Sequence, residues 1–270
     1  MQNPCYGQLL YGYSKFSQMI LRRLGNKQAI AQDIIKYFPE HKIYVEPFFG
    51  AGGMFFQKRK AKFNMVNDID KDVFCLFTTI LNNKKELEEL YYQTPIHSDL
   101  LEYWKSNEEI DPIKKSIRFL FISNLTHMGG GSSIRLQPRT PKQTFFDRID
   151  ETYKLINDVQ FYNNDFRKFL KSICFDSMEN ETLIYCDPPY LETLDNYSHS
   201  FTEQDSIDLF DTLQATGCKF AMSEFDNEFI LNQAKERGLN VIIIGERKNL
   251  KNRRTEILIT NYEKQKGLFD

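Results

Sequence analysis

The sequence predicts an α/β fold, a doubly wound and mostly parallel sheet that carries an inserted helical and β-hairpin lobe. Three observations lead there. Short runs rich in β-branched and aromatic residues alternate with longer segments of helical period. A glycine turn, Gly50-Ala51-Gly52-Gly53, directly follows the first of those runs. A later apolar run ends on Asp187-Pro188-Pro189-Tyr190, where two successive prolines cannot continue a strand ladder.

Taken in order, Ser14 to Phe38 reads as a helical region stopped by Pro39. Lys42 to Glu46 reads as a short buried strand, Pro47 to Gly53 as a turn, and Met54 to Lys60 as a helical continuation. Phe63 to Asn67 is the second strand, and a helix follows from about Asp70 to Leu81. Lys84 to Leu125 is helical with a break near Asp111-Pro112. His127 to Thr144 holds Gly129-Gly130-Gly131 and two prolines, with little hydrophobic period, which fits a β-hairpin or a loop. The strand-helix rhythm then resumes. Strands are expected at Val159 to Tyr162, Thr182 to Cys186, Cys218 to Ser223, Val241 to Gly245 and Glu256 to Asn261. Helices are expected from Phe166, at Glu203 to Ala215 and at Asn227 to Arg237. The main domain is therefore expected over 1–82 and 147–270, with the inserted lobe at 83–146.

A chain of 270 residues can bury the core of one large domain, or of one domain with a lobe. No apolar run approaches the length a bilayer helix needs, so no membrane partner is expected. Met1-Gln2-Asn3-Pro4 lacks the basic-then-apolar order of a secretory signal. The five cysteines form no Cys-x-x-Cys pair, and reduced thiols in a cytoplasmic protein are expected. The four histidines are as scattered, and no metal site is expected. Net charge is -2, yet the basic residues are unevenly spread. Lys114, Lys115, Arg118, Arg135, Arg139 and Lys142 lie in a stretch without an acid, and five more Lys or Arg lie between Arg247 and Arg254. Such patches suit a face that meets phosphates, and equally suit two solvated loops.

Ligands of open α/β sheets bind at the carboxyl ends of strands, so residues there carry the functional reading. Asp187-Pro188-Pro189-Tyr190 is a stiff loop in which two N–H groups are missing and carbonyls are left as acceptors. A ring-conjugated amine is a poor nucleophile because its lone pair is delocalised. The Asp187 carboxylate and the Pro188 carbonyl, each accepting one amine hydrogen, would localise that pair, and Tyr190 could stack on the face of an extruded base. The turn after Glu46-Pro47-Phe48-Phe49 lets a ligand approach the backbone, but it is neither a dinucleotide fingerprint nor a phosphate loop. Asp68 at the end of the second strand is placed to bind ribose hydroxyls, whereas Asp70 is expected to cap the next helix. Asp165-Phe166 could bracket an adenine.

In this order the motifs resemble those of the Dam-type DNA adenine methyltransferases. Arg22 to Gln28 resembles the family's amino-terminal cofactor segment, Tyr44 to Phe56 its Glu-Pro-Phe-x-Gly-x-Gly motif, Asn67 to Asp70 its ribose-binding acid and Asp187 to Tyr190 its catalytic tetrapeptide. Ser198 to Thr202 and Arg254 to Leu258 also look like family segments. The likeness spans residues 20–262. It implies an S-adenosyl-L-methionine-dependent methyltransferase sheet and methylation of the 6-amino group of adenine in double-stranded DNA. It further implies that Asp187, Pro188, Pro189 and Tyr190 are catalytic. Arg23, Lys27, Glu46, Phe48, Gly50, Gly52, Asp68, Ile69, Asp165 and Phe166, together with Asp187, would hold the cofactor. Arg22 matches a basic residue that reaches DNA, and the inserted lobe matches the target-recognition region in place. Within that lobe Lys114, Lys115, Arg118, Asn124, Arg135, Gln137, Arg139 and Lys142 are the expected DNA contacts. Thr126 to Thr140 does not reproduce the hairpin pattern of the GATC-specific members.

Overall fold

The computed structural model describes residues 19–21, 26–129, 134, 140–191, 201–248 and 253–263. Seven strands form one sheet: β1 (Ile43–Glu46), β2 (Phe63–Asn67), β3 (Gln160–Tyr162), β4 (Thr182–Cys186), β5 (Lys219–Phe225), β6 (Asn240–Lys248) and β7 (Arg253–Thr260). Their order is β3-β2-β1-β4-β5-β7-β6. The first five are parallel, and β7 enters antiparallel between β5 and β6. The order reverses between β1 and β4, and a crevice opens at the carboxyl ends of strands at such a switch point.

Successive side chains of a strand face opposite sides, and here each side has its own core. Tyr44, Val66, Leu183 and Tyr185 pack on one face, whereas Ile43, Val45, Ile184 and Cys186 pack on the other. Both faces are covered, so β1 and β4 are buried at every position, as expected for central parallel strands. On the first face lie α1 (Ala31–Ile35), α2 (Lys71–Asn82), α3 (Lys84–Gln93), α4 (Ser98–Ser106), α5 (Pro112–Leu125) and α6 (Pro141–Ile156). On the second lie α7 (Phe166–Lys171), α8 (Glu203–Ala215) and α9 (Glu228–Glu236). Leu87, Tyr91, Trp104 and Phe121 of the segment 83–146 belong to the same core as the sheet residues Tyr44 and Val66. The helix α6 runs across position 146 without a break.

Three stretches differ from the expectations. Residues 19–21 are not helical, and beyond them only a 3-10 turn, Lys27–Ala29, and the short α1 form, separated by Ile30 at φ −117° and ψ 5°. Met54, Phe55 and Phe56 are all buried. One face of an α-helix cannot cover three consecutive positions, so the segment closes as a 3-10 turn, Phe55–Gln57, and Lys58 is extended. The loop expected up to Thr144 ends earlier, because Thr140 and Gln143 form a capping box with Pro141 in the first turn of α6. An isolated antiparallel bridge joins Thr126 to Ile134, as a hairpin would require. Among the described residues no helix is long and apolar enough to cross a membrane.

Candidate active site

The strand ends at the switch point are tied together before any ligand is considered. Asn67 at the end of β2 donates to the carbonyls of Pro47 at 3.0 Å and Asn164 at 2.9 Å, and its own side-chain oxygen accepts from the Asn164 amide at 2.9 Å. One side chain thus joins the loops after β1, β2 and β3. The Asp68 carboxylate accepts from the Gly50 amide at 2.6 Å and the Asp70 amide at 2.8 Å, one on each oxygen. Asp70 caps α2 through the Asp72 amide, as expected.

The glycines divide their work. Gly50, at φ +54°, has open space where a Cβ would stand, so its backbone faces the crevice. A Cβ at Gly53 would lie 2.0 Å from the Asn26 side-chain oxygen, so that glycine admits the segment carrying Lys27. Ile69 is 54% exposed beside Asp68, an apolar surface at the end of β2. Phe48, Phe166 and Phe201 form an aromatic wall, with ring centroids 5.4 to 6.1 Å apart. Asp165 caps α7 and also binds Arg167, whose guanidinium reaches Asp205 and Asp208 at the start of α8.

The loop after β4 meets a buried ion cluster. The Lys27 ammonium lies 2.6 Å from Asp187 Oδ1 and 3.6 Å from Glu256 Oε1, and Lys27 is 3% exposed. The Tyr190 hydroxyl donates to the same Glu256 oxygen at 2.6 Å. The Lys27 ammonium sits over the Tyr190 ring at 4.4 Å from its centroid, while Phe225 meets that ring edge-on at 4.6 Å. Two further acids are buried here, Glu46 at the end of β1 and Glu224 one residue before the end of β5. Burial pushes the Glu46 carboxyl well above the usual carboxylate range; the Tyr44 hydroxyl at 2.8 Å opposes this, and the charge of Asp187 adds to it. Burial raises Glu224 likewise, against the pull of its Phe225 amide bond and Lys27. Burial also raises the Tyr190 phenol and the Cys186 thiol, so neither ionises near neutral pH.

Residues 24–250 match the family described as D12 class N6 adenine-specific DNA methyltransferase. The chain belongs to that family. The methyltransferase is 23% identical over 258 residues to the DNA adenine methylase of Vibrio cholerae serotype O1 (El Tor Inaba N16961), covering 85% of this chain and 81% of that one. It is 25% identical over 191 residues to the DNA adenine methylase of Escherichia coli K12, with 65% and 66% covered. To the DNA adenine methylase of Haemophilus influenzae Rd it is 24% identical over 183 residues, with 63% of each chain covered. Its reaction is methylation of adenine in DNA with S-adenosylmethionine as donor.

The sequence-predicted site residues are only partly gathered by the fold. Lys27, Glu46, Phe48, Gly50, Gly52, Asp68, Ile69, Asp165, Phe166 and Asp187 lie in or beside the segments that end strands β1 to β4, or in the turn that packs on them. Gly52, at φ +75°, serves packing, since a Cβ there would strike the Phe56 ring. Tyr190 is more engaged than the sequence suggests: its hydroxyl binds Glu256 and one ring face carries Lys27. Several members of the acid-free basic stretch have partners within the fold. Lys115 and Arg118 both face Asp72 on α2, and Arg118 also donates to the Trp104 carbonyl. Lys142 donates to the Tyr92 and Thr94 carbonyls, and buried Asn124 donates to the Ile20 carbonyl. Their partners lie on other elements, which is why a linear scan finds none. Lys114 is exposed. Arg22, Arg23, Arg135, Gln137 and Arg139 lie outside the described residues. Sequence reasoning missed Asn67 as the tie between strand ends, and missed Glu224 and Glu256. An acid set between Ser223 and Phe225 near the end of a mostly apolar strand, as Glu224 is, was the available signal.

Proposed function

We propose that the crevice between the ends of β1 and β4 holds S-adenosylmethionine beside an adenine taken out of the DNA duplex. Asp187 and the Pro188 carbonyl then accept the two hydrogens of its 6-amino group. The supporting observation is the position of Asp187, directly after buried β4, in a loop stiffened by two prolines, with its side chain 21% exposed. The residues present suit the cofactor. An exposed apolar Ile69, an aromatic wall and Asp68 suit a nucleoside, and Gly50 leaves room for close approach.

When bound, the cofactor supplies a methyl carbon already activated by its sulfonium. The protein's task is to place and prepare the nucleophile. Asp187 accepts a hydrogen bond that strengthens as positive charge develops on the amine nitrogen, so it acts on the chemical step more than on DNA binding. The Pro188 carbonyl orients the second hydrogen, and the lone pair is held out of conjugation. Lys27 shares the same carboxylate.

The segment 83–146 is proposed to carry target recognition, with Lys114 and the basic residues at Arg22, Arg135 and Arg139 meeting phosphates or bases and Gln137 reading a base edge. A cytoplasmic setting accords with four free cysteines among the described residues. Single-turnover methylation by Asp187→Ala at saturating DNA tests the central reading. The rate is expected to fall by about a hundredfold or more, the scale for losing a positioned acceptor or donor of this kind. A rate near wild type would reduce the tetrapeptide to a turn.

A further inference from the structure

Glu256 stands outside the four residues of the proposed catalytic loop, yet Tyr190 binds it directly and Asp187 is linked to it through Lys27. It is fully buried in β7, paired with Phe225 of β5 on one side and Gly245 of β6 on the other. One of its oxygens takes the Tyr190 hydroxyl at 2.6 Å and faces the Lys27 ammonium at 3.6 Å. The same ammonium is 2.6 Å from Asp187 and lies over the Tyr190 ring. A buried carboxylate costs several kcal/mol unless its charge is matched, so this one is held in place by what it holds. We propose that Glu256 is a positioning residue for methyl transfer. It fixes the Tyr190 ring through its hydroxyl and gives Lys27 a second anionic seat. Lys27 can then lean away from Asp187 when the target amine needs that carboxylate, and the same shift uncovers a face of Tyr190.

The physical need is competition. An Asp187 carboxylate whose charge is matched wholly by a buried ammonium is a weaker acceptor for the amine than one that shares that ammonium with a second acid. With Glu256 ionised, the ammonium stays charge-matched at either end of a short displacement. With Glu256 neutral, it is drawn wholly onto Asp187. The inference rests on the assignment of Asp187 and Tyr190 to the target amine and base, and its test separates the two.

Glu256→Gln keeps size and an acceptor for the tyrosine hydroxyl while removing the charge. Tyr190→Phe keeps the ring and removes the donor. Each variant, the double variant and Asp187→Ala are assayed for single-turnover methylation, cofactor and DNA Kd, and Tm. We expect Glu256→Gln to lower the saturated rate about tenfold or more, in line with a lost charged hydrogen-bond partner, with both Kd values within about twofold of wild type. The rate effects of Glu256→Gln and Tyr190→Phe should be less than multiplicative, since one contact is shared. A saturated rate near wild type for Glu256→Gln would overturn the proposal, as would a loss confined to Kd or fully multiplicative effects. If Asp187→Ala also keeps its rate, the underlying active-site assignment fails. If only Glu256→Gln keeps it, that assignment stands and the positioning role alone falls.

Discussion

In the proposed site Asp68 would couple cofactor binding to the architecture of the crevice, and removing its carboxylate tests both roles. Asp68→Ala deprives the Gly50 and Asp70 amides of acceptors now at 2.6 and 2.8 Å. Hydrogen bonds to a charged group contribute about 1.5–3 kcal/mol each. Asp68 is half-buried, so the low end applies to each, for a total of about 3 kcal/mol. At this chain length that corresponds to a fall in Tm of roughly 6–12 °C. Asp68→Asn keeps one acceptor but turns an NH2 toward the other amide, so it should fall between wild type and alanine. Calorimetric titration with S-adenosylmethionine reads the second role: loss of a ribose partner should weaken binding by about tenfold or more. A Tm within a degree or so of wild type would refute the carboxylate as the tie between β1 and β2, and unchanged affinity would remove it from the cofactor site.

The other expectations concern pH, charge and the helix clamp. Burial lifts the folded-state pKa of Glu46 above its unfolded value of 4.5, so the folded state binds the extra proton. Its contribution is most favourable below pH 4.5 and is lost as pH rises toward the folded pKa. Glu46→Gln should therefore raise Tm at pH 8 and lose that advantage near pH 4; an equal gain at both would contradict the burial account. Lys114→Ala should weaken DNA binding and reduce the slope of log affinity against log salt by about 1, whereas Arg118→Ala should lower Tm, because its guanidinium holds the Trp104 carbonyl. Equal effects of the two on the salt slope would restore the stretch as one continuous DNA face. Arg167→Met leaves Asp165, Asp205 and Asp208 to repel one another and should loosen α7 from α8, seen as faster amide exchange at the start of α8; unchanged exchange would show the clamp to be idle.

What could be read from the sequence follows from how local each cause is. β2, β4 and α8 were expected at their observed limits. Their signals are short-range: continuous apolar runs for strands buried on both faces, and Thr202 with Asp205 as a capping box for α8. The same locality made Asp187 and Asp68 findable, since each directly ends a recognisable strand. The turn at Phe55–Gln57 was read as a helix because its cause is tertiary, the packing of Phe49, Phe55, Phe56 and Phe77 on one another. The cluster of Lys27, Tyr190 and Glu256 joins three distant segments, and nothing in any one of them announces the others. For the same reason Asp72 was invisible as the partner of Lys115 and Arg118.

The placement of β7 inside β6 has a consequence for how the enzyme comes into being. β6 is synthesised first, but its neighbour in the sheet is β7, which alone connects it to β5. A nascent chain that has emerged only as far as β6 cannot add that strand to the growing sheet, and the edge of β5 stays open. The last two strands must pair with each other as a hairpin and dock as a unit, a late and non-local event. Glu256 arrives with that docking, so until then Lys27 and Tyr190 lack the carboxylate they share. Assembly of this cluster is thereby timed to the end of folding, and a partly made chain can hold most of the sheet while lacking the finished cluster of the proposed site.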